Sequence, residues 1–224
     1  MLKAVIFDMD GTLIDSERLG RRAWHQAAQE LGCSDVITDD LLVTFTGLQP
    51  APVKALLVEA VGSEELANRL LERSSDIRVN ELAPTELEPK AGARKVLADL
   101  KALGIHRALA TSTVRPAALR SLDLAGLSGQ LDSITTGDEC EHGKPAPDIF
   151  LLAASRAGAA PEECAVVEDS PNGARAGHTA GMAVYFVPDL IAPTDEVRGL
   201  ATEVLPSLNE LIPALESRFG ALGE

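Results

Sequence analysis

The sequence has few cysteines, no long apolar run and a shortage of basic residues, and each of these excludes a class of protein. Its three cysteines, Cys33, Cys140 and Cys164, are far apart and odd in number, and no Cys-x-x-Cys pair occurs. We therefore expect a cytoplasmic protein without a disulfide framework. No stretch approaches the ~20 apolar residues of a membrane span. Asp8 and Asp10 interrupt the N-terminal apolar stretch, so no signal peptide is predicted.

The charge balance is strongly acidic, with 34 acidic and 20 basic residues and a formal net charge of −14. A phosphate backbone or an anionic membrane surface would be repelled, so neither is an expected partner. The length of 224 residues and the 46% share of hydrophobic residues suit one soluble α/β domain carrying a small insert. We expect a monomer.

The pattern of apolar residues predicts a doubly wound parallel sheet with Rossmann-like topology. A short apolar run, Ala4–Phe7, reads as a buried strand, and after Gly92 helical and strand patterns alternate. Such alternation gives right-handed crossovers and parallel strands. Predicted strands in this part are His106–Ala110, Ser133–Thr136, Ala165–Val167 and Ala183–Val187, and the predicted helices between them are Ala93–Leu103, Arg115–Leu124, Pro147–Arg156 and Pro171–Ala180.

Between the first strand and this alternating region, the pattern is helical only. We predict an all-α domain over residues 16–83, inserted into a core formed by residues 1–15 and 84–224. Ser207-Leu-Asn-Glu210 has the spacing of a capping box, which predicts the start of a last helix that restarts at Pro213.

Polar residues follow four of the predicted strands, and ligands of parallel sheets bind beyond such strand ends. Each group alone has an ordinary explanation as a turn, a helix start or a solvated lysine. Their joint occurrence in strand-end order favours one site. The four groups are Asp8-Met-Asp10-Gly-Thr12, Thr111-Ser112-Thr113, Gly143-Lys144-Pro145 and Glu168-Asp169-Ser170.

The acids of these groups suit a hard cation, because Mg²⁺ binds carboxylates, carbonyls, waters and phosphate oxygens. The four histidines show no ligand spacing, so zinc is not predicted. A nucleotide-dependent kinase would need Gly-x-x-x-x-Gly-Lys-[Ser/Thr], which does not occur. A receiver-like phospho-signalling domain also uses acids, Mg²⁺, a threonine and a lysine, but the helical insert argues against it. A true dehalogenase would need neither Asp10 nor Asp169.

In order and content, these motifs resemble the haloacid dehalogenase-like hydrolase superfamily, and the insert resembles its subgroup with a helical cap. The β-phosphoglucomutase-like and sugar-phosphate phosphatase branch is the most similar. The resemblance spans essentially the whole chain and rests on Phe7-Asp-Met-Asp-Gly-Thr-Leu-Ile-Asp-Ser-Glu17, Gly143-Lys-Pro-Ala-Pro-Asp148 and Glu168-Asp-Ser-Pro-Asn-Gly173.

The resemblance implies a Mg²⁺-dependent phosphatase that hydrolyses a small phosphorylated metabolite through an aspartyl-phosphate. Asp8 would be the nucleophile, and Asp10 the acid and base. Thr111 and Ser112 would bind the phosphoryl group, and Lys144 would balance the charge on that group and on Asp8.

The metal would be held by residues of the first and last motifs. The resemblance assigns this role to Asp8, Asp10, Glu168 and Asp169, with Asp10 acting through its backbone carbonyl.

The alternative is a phosphomutase of the β-phosphoglucomutase type. By resemblance, such mutases carry a histidine where this chain has Gly20 and an arginine near Gly47-Leu-Gln49, where it has none. Thr12 also matches phosphatases better. These differences favour hydrolysis. Arg18, Trp24, Thr46 and Gln49 are candidate substrate contacts of the insert, although Trp24 also suits a helix core and Arg18 a solvated face. The sequence does not single out one phosphate ester.

Overall fold

The computed structural model describes residues 1–45, 50–190 and 192–223. Six strands in these residues form one parallel sheet with the order β3-β2-β1-β4-β5-β6, which confirms the predicted doubly wound fold. The strand order reverses beside β1, and ligands of doubly wound sheets bind at such a reversal. The strands are β1 (Ala4–Phe7), β2 (His106–Thr111), β3 (Ser133–Thr136), β4 (Cys164–Glu168), β5 (Ala183–Phe186) and β6 (Glu203–Val204).

The register of the central strands aligns the loops that follow them. Phe7 at the end of β1 pairs with Leu109 of β2 and with Val167 of β4. All four residues of β1 are buried, as expected of a strand covered on both faces. By this register, Asp8 follows β1 level with Ala110 of β2 and with Glu168 at the end of β4.

Helices connect the strands and cover the sheet. Their burial is periodic: Val96, Leu97 and Leu100 face inward on the first of them, and Ile149, Phe150 and Ala153 on the third. These helices are α6 (Ala93–Ala102), α7 (Arg115–Leu124), α8 (Asp148–Arg156), α9 (Pro171–Thr179), α10 (Asp195–Leu200) and α11 (Leu211–Phe219).

Residues Ser16–Leu87 form a compact unit distinct from the unit made of Met1–Asp15 and Glu88–Glu224. In the helical unit, Leu19, Ala23 and Ala27 of the first helix are buried, as are Leu57 and Leu70. Its described elements are α1 (Ser16–Leu31), α2 (Asp39–Phe45), α3 (Pro50–Val61), α4 (Glu64–Asp76), a π-helical turn (Ile77–Leu82) and α5 (Ala83–Glu86). Among the described residues, no helix has the length and apolar character needed to span a bilayer.

The structure corrects the prediction for the C-terminal segment. Ser207 Oγ accepts from the amide of Asn209, at 3.3 Å, and begins a 3₁₀ turn over Leu208–Glu210 rather than a capping box. The last α-helix then begins at Leu211, so Pro213 lies in its first turn and does not restart it. A proline is tolerated there because the first amides of a helix have no partner within it.

Candidate active site

The loop after β1 is a single tight turn that presents Asp8 at the sheet edge. The amides of Leu13 and Ile14 both donate to the carbonyl of Met9, at 3.0 and 2.9 Å, while the amide of Asp8 donates to Val167 O at 3.0 Å. Met9, Leu13 and Ile14 are fully buried and anchor the turn. Asp8 is itself 8% exposed, so this residue is largely shielded from solvent.

Gly11 is required in this turn for two reasons. Its φ of +84° lies in the left-handed region, and a Cβ atom at this position would lie 2.2 Å from Asp169 Oδ2. The missing side chain lets the Asp169 carboxylate pack against the backbone of the turn. Thr12 Oγ1 donates to Asp169 Oδ1 at 3.2 Å and fixes the orientation of that carboxylate.

Lys144 is the central cation of the site and is 8% exposed. Its Nζ donates to Asp8 Oδ1 at 2.5 Å, to Glu168 Oε1 at 2.7 Å and to Ala110 O at 3.0 Å, which uses all three hydrogens of the ammonium group. Nζ also lies 4.9 Å from the centre of the Phe150 ring. Burial acts to lower the pKa of Lys144, but Asp8 and Glu168 more than offset this and raise it, so Lys144 stays charged.

Glu168 is fully buried at the end of β4, and its two oxygens have separate roles. Oε1 accepts from Lys144, while Oε2 accepts from the amides of Asp169 and Ser170 and from Ser170 Oγ, at 2.9–3.0 Å. Gly173 in the first turn of α9 leaves room for this carboxylate, because a Cβ there would lie 1.8 Å from it. Glu168 thus fixes Lys144 as well as lining the acidic group.

Asp8, Glu168 and Asp169 form a group with one carboxylate oxygen each, all within 4.8 Å of one another. Burial raises the pKa of Asp8 to about 8, with Lys144 opposing this change and the carboxylates of Glu168 and Asp10 adding to it. Such crowded carboxylates suit a hard divalent cation, which would favour their ionised forms. The donor set therefore fits Mg²⁺. The backbone carbonyl of Asp10 remains a predicted further ligand.

The loop after β2 brings hydroxyl groups to the same edge. Thr111 is buried, and its Oγ1 accepts from the amide of Thr113 at 3.1 Å. Thr113 Oγ1 in turn donates to Asp10 Oδ2 at 2.9 Å. Ser112 is exposed between them. Thr113 belongs to the polar group recognised after the second strand, but the sequence did not single it out as the partner of Asp10.

Two backbone amides near the predicted phosphoryl-binding residues already donate hydrogen bonds to side chains of the protein. At the start of α7, the amide of Arg115 donates to Asp138 Oδ1 at 3.1 Å. The amide of Thr113 donates to Thr111. That Thr111 and Ser112 bind the phosphoryl group stays a prediction.

The candidate substrate contacts of the helical unit are only partly described. Trp24 packs edge-on against Phe45, with ring centres 5.7 Å apart, as a helix-core residue would. Arg18 is exposed, and its Nη2 donates to the carbonyl of Glu86 at 3.5 Å. Thr46 and Gln49 lie outside the described residues.

Comparison with known proteins gives a consistent match over most of the chain. Residues 2–181 match the sequence model of the haloacid dehalogenase-like hydrolases. The chain is 32% identical to hexitol phosphatase A of Escherichia coli K12 over 96% of its length and 91% of that protein. It is 33% identical to a phosphorylated carbohydrates phosphatase of Thermotoga maritima, over 81% of its length and 82% of that protein.

A solved structure shares the fold as well. The β-phosphoglucomutase of Clostridium difficile superimposes with a TM-score of 0.71 and 26% identity, covering 94% of this chain and 93% of the other. The resemblance predicted from the motifs is confirmed by these matches.

Proposed function

The chain belongs to the haloacid dehalogenase-like hydrolase family, and from this premise we propose that it is a Mg²⁺-dependent phosphatase of small phosphomonoesters that acts through an aspartyl-phosphate. The predicted enzyme class, a phosphoric monoester hydrolase, agrees with the phosphatases among its relatives. The observation that carries the proposal is the buried carboxylate of Asp8, paired with Lys144 at 2.5 Å and grouped with Glu168 and Asp169.

Asp8 is proposed to attack the phosphorus atom of the ester. A bond forms between its carboxylate oxygen and phosphorus, and the bond from phosphorus to the alcohol oxygen breaks. Lys144 supports this step because its charge offsets the negative charge of Asp8 and of the phosphoryl group that Asp8 attacks. When bound by Asp8 and Asp169, Mg²⁺ would screen the repulsion between the carboxylates and the substrate phosphate.

Asp10 is proposed to move the protons in both steps. Its carboxyl group protonates the leaving alcohol, and the resulting carboxylate then takes a proton from the water that attacks the aspartyl-phosphate. This second step releases inorganic phosphate and restores Asp8. The hydrogen bond from Thr113 to Asp10 Oδ2 supports this role, because it fixes one oxygen and so restricts the orientation of the carboxyl group.

The substrate class is proposed from the relatives. Hexitol phosphatase A and the phosphorylated carbohydrates phosphatase are named for phosphorylated sugars or sugar alcohols. A sugar phosphate or a similar small phosphomonoester is therefore the proposed substrate here. The acidic net charge of −14 supports a small substrate over a polyanionic one.

The second candidate is a phosphomutase, and the similarity to a β-phosphoglucomutase favours it. A mutase must keep water from the aspartyl-phosphate and hold a bisphosphate while it turns. The family resemblance places a histidine for this task where α1 has Gly20, which offers no side chain. Hydrolysis needs only an oriented water, so it remains the preferred function.

The test is a panel of sugar and sugar-alcohol phosphates, including β-glucose 1-phosphate, assayed with Mg²⁺ in H₂¹⁸O. We expect release of inorganic phosphate that carries the label, without a bisphosphate activator. Asp8→Asn should reduce the rate by roughly 10⁴-fold or more. Asp99→Asn is the matched control, since Asp99 is an acid on α6 that pairs with Lys95. Conversion of β-glucose 1-phosphate to glucose 6-phosphate with almost no free phosphate would instead establish the mutase.

A further inference from the structure

An additional carboxylate, Asp189, lies beside the acidic group and was not found by sequence reasoning. It follows the end of β5, and its side chain is 10% exposed. Its Oδ2 is buried and has no hydrogen-bond partner among the described residues. Buried polar atoms are nearly always hydrogen-bonded, so an isolated carboxylate oxygen indicates a missing donor.

The other oxygen of Asp189 is firmly held. Oδ1 accepts from Lys90 Nζ at 2.5 Å, and Lys90 is 22% exposed. The backbone of Lys90 is fixed as well, because its amide donates to Leu13 O at 2.9 Å in the turn after β1. The ion pair therefore anchors the orientation of the Asp189 carboxylate and leaves Oδ2 as an acceptor.

The direction of Oδ2 connects Asp189 to the candidate metal ligands. A Cβ atom on Gly11 would lie 3.3 Å from Asp189 Oδ2 and 2.2 Å from Asp169 Oδ2, so both oxygens border the same small space. Two hydrogen bonds of about 2.8 Å through one water span up to about 5.6 Å. The two carboxylate oxygens can be no farther apart than the sum of their distances from this Cβ position, and that sum falls within the span. A single water could therefore contact both carboxylates.

Mg²⁺ usually keeps several of its waters when it binds to proteins, and these waters are strong hydrogen-bond donors. We propose that Asp189, positioned by Lys90, accepts a hydrogen bond from a water of the Mg²⁺ held by Asp8 and Asp169. Asp189 is thus a positioning residue of the metal site and not a direct ligand. The inference rests on the proposed Mg²⁺ dependence. It adds a residue that accepts a hydrogen bond from a water bound to the ion.

The test measures metal binding directly. Metal-free protein is titrated with Mn²⁺, and the free ion is followed by electron paramagnetic resonance; Mg²⁺ is then used as a competitor. Loss of a residue that hydrogen-bonds to a ligand of a metal ion typically lowers the affinity for the metal by about 10–100-fold. We expect a loss of this size for Asp189→Asn, with a melting temperature of the metal-free protein close to that of the wild type.

Two further variants separate this contact from simpler explanations. Asp189→Glu keeps the charge but moves the oxygen, so it should also weaken binding; wild-type affinity in this variant would show a purely electrostatic effect and overturn the proposal. Lys90→Gln removes the ion pair but keeps the carboxylate, and it should weaken binding less than Asp189→Asn. Wild-type affinity in Lys90→Gln would show that Lys90 does not position Asp189 and would overturn that part of the proposal.

Failure of this inference and failure of the proposed function give different results. If the wild type bound neither Mn²⁺ nor Mg²⁺, the metal dependence of the proposed function would be wrong. If the wild type bound both ions and released phosphate while Asp189→Asn bound them equally well, only the role of Asp189 would be wrong.

Discussion

Replacement of Gly11 by alanine tests whether the turn after β1 is built around the Asp169 carboxylate. The added Cβ would lie 2.2 Å from Asp169 Oδ2 and 2.9 Å from its Cγ, so the carboxylate must move by about 1 Å to restore an ordinary contact. A displacement of about 1 Å in an active site can cost roughly 100-fold in rate. We therefore expect Gly11→Ala to lose phosphatase activity by about two orders of magnitude and to need more Mg²⁺.

The same substitution also has a backbone cost, because Gly11 has a φ of +84°. A left-handed conformation costs a residue with a side chain about 1–2 kcal/mol. In a chain of this size, each 1 kcal/mol lowers the melting temperature by roughly 2–4 °C. Calorimetry should therefore show a decrease of about 2–8 °C in Gly11→Ala.

Gly104 provides the matched control for backbone strain alone. Its φ is +70°, and a Cβ there would meet no atom of the described residues within 4 Å. Gly104→Ala should lower the melting temperature by a similar amount and leave phosphate release and its Mg²⁺ dependence unchanged. Wild-type activity in Gly11→Ala, or an equal loss of activity in Gly104→Ala, would refute the link between this turn and Asp169.

Three further changes test other contacts. Thr113→Val removes the donor to Asp10, and because a hydrogen bond between uncharged groups contributes about 0.5–1.5 kcal/mol, kcat should fall by roughly 2- to 10-fold and recover in Thr113→Ser. Lys144→Met leaves buried carboxylates without their cation, so urea unfolding should show a loss of about 3–5 kcal/mol that is smaller with Mg²⁺ present. Arg156 lowers the pKa of Glu139 to about 2, below its usual 4.5. The wild type should therefore have a higher melting temperature than Glu139→Gln above about pH 4.5, and this difference should vanish as the pH falls towards 2.

The sheet and most of the candidate site could be predicted because both follow from strand ends. Buried strands such as Ala4–Phe7 are short apolar runs, and parallel strands bring the residues after them to one edge. Asp8, Lys144 and Glu168 were found in this way, although Lys144 and Asp8 are 136 residues apart in sequence. To predict that these residues lie at one edge, it is enough to know which residues follow each strand.

The contacts that the sequence did not reveal depend on side-chain direction within loops. Thr113 was visible as one of three polar residues, but its bond to Asp10 depends on which hydroxyl faces the neighbouring loop. Asp189 follows β5 in a segment without a recognisable motif, and its partner Lys90 is 99 residues away. The edge strand Glu203–Val204 was missed because two residues are too few to show a period.

The charges of the site explain why Lys144 alone does not neutralise its carboxylates. When Asp8 is ionised, as its proposed attack on phosphorus requires, Asp8, Glu168 and Asp169 carry three negative charges, and Lys144 supplies one positive charge that is shared between Asp8 and Glu168. In the proposed first step Asp10 gives a proton to the leaving alcohol, so it is counted here without a charge. The remaining excess of two negative charges would repel a phosphate dianion, and burial would strengthen this repulsion. One divalent cation cancels that excess, whereas a second lysine would cancel only half of it. The composition of the buried site therefore favours a divalent ion over a purely protein-based device for binding phosphate.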